Sequence, residues 1–260
     1  NKDNVGIAQV ATKGSHPIVS SSDFISKTMA QCARYPGYSS VYSELFASGE
    51  FVIDLFSLPD LEGTLFSEIS SALGNVAVLG VSWRIEKDGQ KRTVSVLNPE
   101  PDYDLGEGDE LIVLRRQGQA PERIWSRNTD SVKRPSVLSR DRPSLSKVLV
   151  IAANQNLNLM VHALLNHAAA DLDVVVACRS AVEEERLFHQ RTDIDEIKRL
   201  SVEFVEFDLV ESSNLERVVP QDFDVVFVTA DESEMNIDAD SRTMLILFLL
   251  EELRSRMPNR

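Results

Sequence analysis

Apolar and polar residues along this chain repeat with two different periods, and the change of period predicts where strands and helices lie. In residues 1–49, Ser20–Asp23 supply N-cap candidates for a helix over Phe24–Ala33, and a Pro-Gly pair then breaks that helix before a second one over 41–46. The apolar residues of the first helix fall on one face: Phe24, Ile25, Met29 and Cys32. We predict that this face packs across a subunit boundary, the alternative being packing within its own domain.

The second piece, residues 50–116, is rich in β-structure. Apolar runs bounded by turn residues predict four strands and one short helix. The strands are expected over 51–56, 76–85, 93–97 and 111–114, and the helix over 61–73. Residues 117–146 lack periodicity and carry three prolines, so we interpret them as a linker.

The third piece, residues 147–260, alternates short β-branched runs with helical stretches. Strands are expected over 148–151, 174–177, 202–207 and 224–229, and helices over 157–168, 211–218 and 238–256. This alternation is typical of a doubly wound parallel sheet with helices on both faces. The sequence therefore predicts the α/β class, with a Rossmann-like lobe preceded by a smaller α+β lobe.

The net charge and the two cysteines restrict the kinds of partner and the cellular compartment that we expect for this protein. The formal charge of −14 argues against a nucleic-acid partner. Residues 1–140 carry about −3 and residues 141–260 about −11, so the third piece is the better place for a cation site. Cys32 and Cys178 lack metal-ligand spacing and are interpreted as buried thiols of a cytosolic protein. Because the chain opens inside a strand-like stretch, Val5–Val10, we expect it to be a piece of a longer protein.

The residues that nucleotide binding and catalysis require are missing from the expected positions. A Rossmann-like lobe usually holds a nucleotide through glycines in its first strand–helix turn. Those positions fall on Ala152, Asn154 and Leu157, and Cys178–Arg179 stands where a ribose-binding carboxylate is expected. We therefore predict that NAD and ATP are not bound. The four histidines are scattered, and no nucleophile elbow, Walker lysine motif or HExxH is present, so we predict that the protein is not an enzyme.

Acidic residues follow two strands of the predicted sheet where these strands end. Asp208 follows the third strand, and Asp231, Glu232 and Glu234 follow the fourth. Ligands bind at the carboxyl edge of open α/β sheets, and Ca²⁺ prefers several carboxylate and carbonyl oxygens. We predict a Ca²⁺ site built from these four residues. The alternative is a solvated helix start, because acids near a helix N-terminus complement its dipole.

Three segments resemble a known family of channel regulators. The second piece resembles the C-terminal lobe of an RCK domain, the regulator of potassium conductance, in Leu61–Leu65, in its hairpin and in Leu105–Leu114. The first piece resembles the end of a preceding RCK Rossmann lobe with its crossover helix, and the third a second RCK Rossmann lobe. The segments Asp238–Thr243 and Leu245–Leu250 are similar to the corresponding part of CASTOR/POLLUX-type channels.

The resemblance implies the cytosolic gating ring of a tetrameric cation channel, whose transmembrane pore lies on the same polypeptide. A ligand, often Ca²⁺ in that family, would shift the ring between two states and so open the pore. On the residues alone, two other hypotheses about function stay open. One is a nucleotide-dependent oxidoreductase with a degenerate glycine motif, and the other is a structural assembly module that binds no ligand.

Overall fold

The structure is a computed structural model that describes residues 19–35, 37–47, 49–87, 90–123, 144–168, 170–192, 198–207, 223–230 and 239–256. The described residues form two compact units. The antiparallel-sheet unit covers the residues from Gly37 to Arg123. The parallel-sheet unit combines the helix before Pro36 with the residues from Ser144 onward. The chain therefore leaves the parallel-sheet unit after one helix and returns to it about a hundred residues later.

The antiparallel-sheet unit is a four-stranded sheet with short helices. Its elements are α2 (Tyr38–Phe46), β1 (Phe51–Ser57), a 3-10 turn (Pro59–Leu61), α3 (Phe66–Ala72), β2 (Leu73–Gly74), β3 (Val76–Lys87), β4 (Gln90–Leu97), β5 (Glu110–Arg116) and β6 (Glu122–Arg123). The sheet order is β1-β5-β3-β4, all antiparallel, and β2 pairs with β6. One face of the sheet packs on α3, around the buried residues Ile69, Leu111 and Val113.

The two loops that carry the RCK resemblance meet in this unit and have a structural role. Gly63 has φ +73° and donates its N–H to the carbonyl of Leu105, which in turn donates to the carbonyl of Thr64. The carboxylate of Asp109 closes the second loop by accepting from Tyr103 Oη at 2.8 Å and from Gly106 N at 2.9 Å. Burial and this bond to Asp109 raise the pKa of Tyr103 to about 12. These motif residues hold two turns against each other.

The parallel-sheet unit has a central sheet with helices on both faces. Its elements are α1 (Ser21–Arg34), β7 (Lys147–Ile151), α4 (Leu157–Leu165), β8 (Leu172–Cys178), α5 (Ala181–Arg191), β9 (Leu200–Glu206), β10 (Val225–Val228) and α6 (Ala239–Arg256). The strand order is β10-β7-β8-β9, and every pair is parallel. The first strand is therefore central, and the order reverses between β7 and β10, as in Rossmann-like sheets.

Alternate residues of β7 enter different cores. Val148 and Val150 pack with α1, α4 and α5, whereas Leu149 and Ile151 pack with α6 on the opposite face. All four are at most 1% exposed, which explains why this strand has no polar alternation in the sequence. The prediction of an α/β chain with helices on both faces of a parallel sheet is confirmed.

Helix α1 packs on the parallel-sheet unit through its small residues. Ser26 and Ala30 are buried, and Met29 and Ala33 pack beside them against α4. Phe24 and Ile25 are 47% and 52% exposed. The apolar face predicted from the sequence is therefore rotated relative to the face of α1 that packs on α4, because close approach to α4 favours small side chains such as Ser26 and Ala30. Packing across a subunit boundary stays a prediction for the exposed pair.

Element bounds agree with the sequence expectations to within a few residues. Ser20 is the N-cap of α1, since its side chain accepts from Asp23 N. Glu183–Glu185 lie in the first turns of α5. Strand β6 falls inside the segment interpreted as a linker. The division of the chain into RCK lobes stays a prediction, and the helix expected over 211–218 lies outside the described residues.

Candidate functional site

The candidate site is the crevice at the carboxyl edge of the parallel sheet, between β7 and β10. Ligands of open α/β sheets bind where the strand order reverses, and here the loop after β7 and the end of β10 lie on the two sides of that point. Asn154 and Asn156 come from the loop after β7, and Thr229 follows β10. Helix α1 covers the crevice with Ile25, Ser26 and Met29.

A small cavity of about 50 Å³ lies under α1 in this crevice. It is lined by Ile25, Ser26, Met29, Asn154, Asn156, Leu157, Met160 and Thr229. Small-molecule sites typically measure roughly 300–1,000 Å³. With α1 in this position, the cavity is much smaller than a site for a nucleotide.

The loop after β7 has the shape of a nucleotide-binding turn without its glycines. Ala152 takes the left-handed conformation, φ +64°, which favours glycine. Asn154 Oδ1 accepts from Asn156 N at 2.9 Å and so forms the turn into α4. Leu157 is 5% exposed and its side chain joins the core on which α4 packs. Whether NAD or ATP binds remains a prediction, but the side chain of Leu157 fills space that a third glycine leaves open.

A side-chain hydrogen bond joins the two sides of the crevice. Thr229 Oγ1 donates to the carbonyl oxygen of Ala152 at 2.7 Å, and Thr229 N donates to the carbonyl of Ile151. The end of β10 is thereby fixed to the strained turn after β7.

The four acids predicted to bind Ca²⁺ lie outside the described residues: Asp208, Asp231, Glu232 and Glu234. The structure describes the strands that precede them. Strands β9 and β10 are at opposite edges of the sheet, three strand spacings or about 14 Å apart. Residues 231–234 follow the strand beside the crevice, whereas Asp208 follows the strand farthest from it.

Asp224 is a described acid beside this sheet with a perturbed pKa, and it lies at the opposite, amino edge. Its Oδ2 accepts from Ser146 N at 2.8 Å, Ser146 Oγ at 2.9 Å and Lys147 N at 2.9 Å. Burial alone would raise the pKa of Asp224, but the bonds from Lys147 and Ser146 outweigh it and lower the pKa. Asp224 therefore joins the starts of β7 and β10 and is not part of the crevice.

Sequence reasoning named Ile25 and Met29 on the apolar face of α1 but missed Ser26, the third α1 residue that lines the cavity, and the buried Ala30. Ser26 and Ala30 are spaced four apart, as expected for two small residues on one helix face. That spacing was available as a signal of close helix packing, but the larger neighbours Phe24 and Ile25 dominated the hydrophobic pattern. Thr229 gave no sequence signal, because its partner is 77 residues away.

The described residues contain neither a metal-binding cluster nor a membrane-spanning helix. No group of three or more His, Cys, Asp or Glu side chains there is arranged to hold a metal ion. No helix among these residues combines the length and apolar content needed to cross a bilayer.

Residues 22–128 match the family model described as "Castor and Pollux, part of voltage-gated ion channel". The ion channel CASTOR of Lotus japonicus is 26% identical over 242 residues, which is 90% of this chain and 27% of that protein. The resemblance to the CASTOR/POLLUX family is confirmed. The probable ion channel POLLUX of Arabidopsis thaliana is 25% identical over 249 residues, again 90% of this chain and 28% of that protein.

The chain therefore corresponds to about a quarter of the length of these CASTOR/POLLUX relatives. The similarity extends over both units, because it covers 90% of the chain, whereas the family model spans α1 and the antiparallel-sheet unit. The relatives are named as ion channels and not as enzymes.

Proposed function

We propose that this chain is the regulatory region of a CASTOR/POLLUX-type cation channel. It forms part of an RCK-type gating ring on the cytosolic face of a membrane, in a homotetramer whose pore lies on the same polypeptide. The similarity to ion channels over 90% of the chain supports this context. Two compact units, each with its own sheet and helices, are compatible with the tandem RCK arrangement.

The observation that carries the proposal is the position of α1 over the crevice. Its residues Ile25, Ser26 and Met29 line the same cavity as the loop after β7 and the end of β10. After Tyr35 the chain continues directly into the antiparallel-sheet unit. A ligand that binds the crevice loops differently in two positions of α1 would change the position of that helix, and coupling requires no more than this difference in affinity.

We propose Ca²⁺ as the ligand. The second half of the chain carries most of the negative charge, which raises the local cation concentration. Asp231, Glu232 and Glu234 follow Ala230 at the carboxyl end of β10, beside the crevice, and carboxylates are preferred Ca²⁺ ligands. Because Asp208 follows the far strand β9, it is the least favoured member of the predicted set.

Thermal unfolding of the 260-residue chain with and without Ca²⁺ tests the ligand. Binding to the folded state alone stabilises it by about 2.7 kcal/mol at a ligand concentration of 100 Kd, so Tm rises with Ca²⁺. The variant Asp231→Asn/Glu232→Gln/Glu234→Gln should lose this rise, and Asp208→Asn should lose less of it. The matched control is Glu183→Gln/Glu185→Gln in the first turns of α5, which should retain it. A Tm that is indifferent to millimolar Ca²⁺ would refute Ca²⁺ sensing by this region.

A structural assembly module is the second candidate, and the small volume of the cavity favours it. This candidate requires stable oligomers without any response to a divalent cation. The Tm response to Ca²⁺ distinguishes the two candidates, and light scattering of the same samples shows whether stable oligomers form.

A further inference from the structure

The last turn of α1 is fixed to the end of α4 by one histidine. His167 lies just after α4, with Nδ1 3.1 Å from Arg34 Nη1 and Nε2 3.1 Å from the side-chain amide of Gln31. Gln31 and Arg34 are one turn apart on α1. The imidazole therefore bridges two residues of the helix that covers the crevice.

The contact with Arg34 determines the protonation state of the ring. A guanidinium can only donate hydrogen bonds, so the Nδ1 atom of His167 has to be the acceptor. A neutral ring with an unprotonated Nδ1 carries its proton on Nε2. The amide nitrogen of Gln31 lies nearest to Nε2, and turning that amide by 180° about its terminal bond gives Nε2–H the amide oxygen as acceptor. The contact as a whole requires neutral His167.

Protonation of His167 would place an N–H group and a positive charge against Arg34. The imidazole is partly buried, so solvent screens this repulsion incompletely. Burial, and secondarily the Arg34 charge, lower the pKa of His167. The Arg34 guanidinium also lies over the ring of Tyr35, 5.2 Å from its centroid. Ionisable residues in neighbouring elements of the described chain are His162 on α4, Asp171 before β8 and Arg199 before β9. In the described part of the chain, Asp171 and Arg199 make no hydrogen bond or ion pair with the ring.

We propose that His167 makes the docking of α1 on the parallel-sheet unit sensitive to protons, so that acidification releases the C-terminal turns of α1 and uncovers the crevice. The proposal concerns this helix contact and does not depend on which ligand the crevice binds. It also gives a role to Arg34, whose Nε is buried without a hydrogen-bond partner in the described structure. Because Arg34 contacts the end of α4 through Nη1, the guanidinium has little to hold it there once His167 is protonated.

The direction of the pH effect follows from the lowered pKa. Above the ordinary pKa of 6.5 the histidine is neutral whether α1 is docked or released, so docking is at full strength. As pH falls below 6.5, the released state takes up a proton more readily than the docked state, and docking weakens. At pH 5.5, one unit below 6.5, the docking equilibrium shifts toward release by up to about tenfold.

Hydrogen–deuterium exchange of the full 260-residue chain at pH 7.5 and 5.5, corrected for intrinsic rates, measures this shift. We expect protection of the α1 amides to fall by up to about tenfold at pH 5.5. Protection of α5, which has no contact with this histidine in the described structure, should be unchanged. His167→Gln cannot titrate and should remove the pH dependence of α1, and Arg34→Gln should reduce it. The matched control His189→Gln alters an exposed histidine on α5 and should leave it intact.

Three outcomes would overturn the proposal. The first is equal α1 protection at both pH values in the unmodified chain. The second is a pH dependence that persists in His167→Gln. The third is loss of protection in α1 and α5 together, which would indicate that acid unfolds the whole unit. If His167→Gln fails to fold, the Arg34→Gln chain decides, because a pH effect of undiminished size there contradicts the role of the Arg34–His167 contact.

Discussion

Thr229 offers a direct test of how the two sides of the crevice are connected. Its hydroxyl donates to the carbonyl of Ala152 across the gap between β10 and β7. Valine has nearly the same shape without the hydroxyl, so Thr229→Val removes this bond and leaves the packing almost unchanged. The carbonyl oxygen of Ala152, a residue that is 1% exposed, then loses its hydrogen-bond donor.

The expected loss of stability for Thr229→Val is about 1–2 kcal/mol. A protein hydrogen bond contributes about 0.5–1.5 kcal/mol net, and leaving a buried acceptor unsatisfied costs about 1–3 kcal/mol. The lower part of the range for an unsatisfied acceptor applies, because Thr229 is half-buried and water can reach the bond from the side of Thr229. Thr229→Ser keeps the hydroxyl and loses one methyl group, which is worth at most about 0.8 kcal/mol.

Urea unfolding followed by far-UV circular dichroism measures both variants. Trp83 lies in β3. In a Trp125→Phe background its fluorescence therefore follows the unfolding of the antiparallel-sheet unit, and the Thr229 variants should leave that transition unchanged. A loss below about 0.3 kcal/mol for Thr229→Val would show that the bond does not contribute. Equal losses for the valine and serine variants would show that the methyl group, and not the hydroxyl, is responsible.

Two further predictions concern single residues that the packing explains. Asp224→Ala should lower the free energy of unfolding by about 1 kcal/mol at pH 7, because Ser146 and Lys147 lose their acceptor. The pKa of Asp224 is lowered from 3.8, so its contribution to the free energy of unfolding is complete above pH 3.8 and is lost as pH falls through the folded-state pKa. Acid unfolding curves of Asp224→Ala, compared with those of an Asp173→Ala control, measure this loss. Gly80→Ala should cost about 3 kcal/mol or prevent folding, because a Cβ there would lie 2.1 Å from the carbonyl oxygen of Val96. Gly106→Ala, whose Cβ would come no closer than 3.4 Å to Asp109, is the control for thermal unfolding, and equal losses in the two glycine variants would contradict the steric explanation.

The alternation of strands and helices was predictable because burial leaves a local pattern. Strand β7 is buried on both faces, so Val148–Ile151 reads as an unbroken apolar run. Helix α1 has a capping serine at the expected position. Such signals depend on neighbours within a few positions, and the sequence therefore contains them directly.

The crevice could be predicted only in part, because its contacts are not local. The carboxyl edge of the sheet could be predicted from the fold class. The docking of α1 could not, since Gln31 and Arg34 contact a histidine more than 130 positions away. The four acids were assigned to one Ca²⁺ site because the strands they follow, β9 and β10, belong to the same parallel sheet. Strand order is set by tertiary packing, and it places them at opposite edges.

The return of the chain to the parallel-sheet unit affects the order of folding. Helix α1 and its partner α4 are separated by the whole antiparallel-sheet unit, so their docking closes a loop of more than a hundred residues. The entropic cost of loop closure grows with the logarithm of loop length, and contacts that span long separations form slowly. If the intervening unit folds first on its own short-range hairpins, it shortens the effective loop. During synthesis α1 emerges early and stays without its partner until α4 appears, so a nascent chain passes through a stage in which Met29 and Ala30 are exposed to solvent and to chaperones.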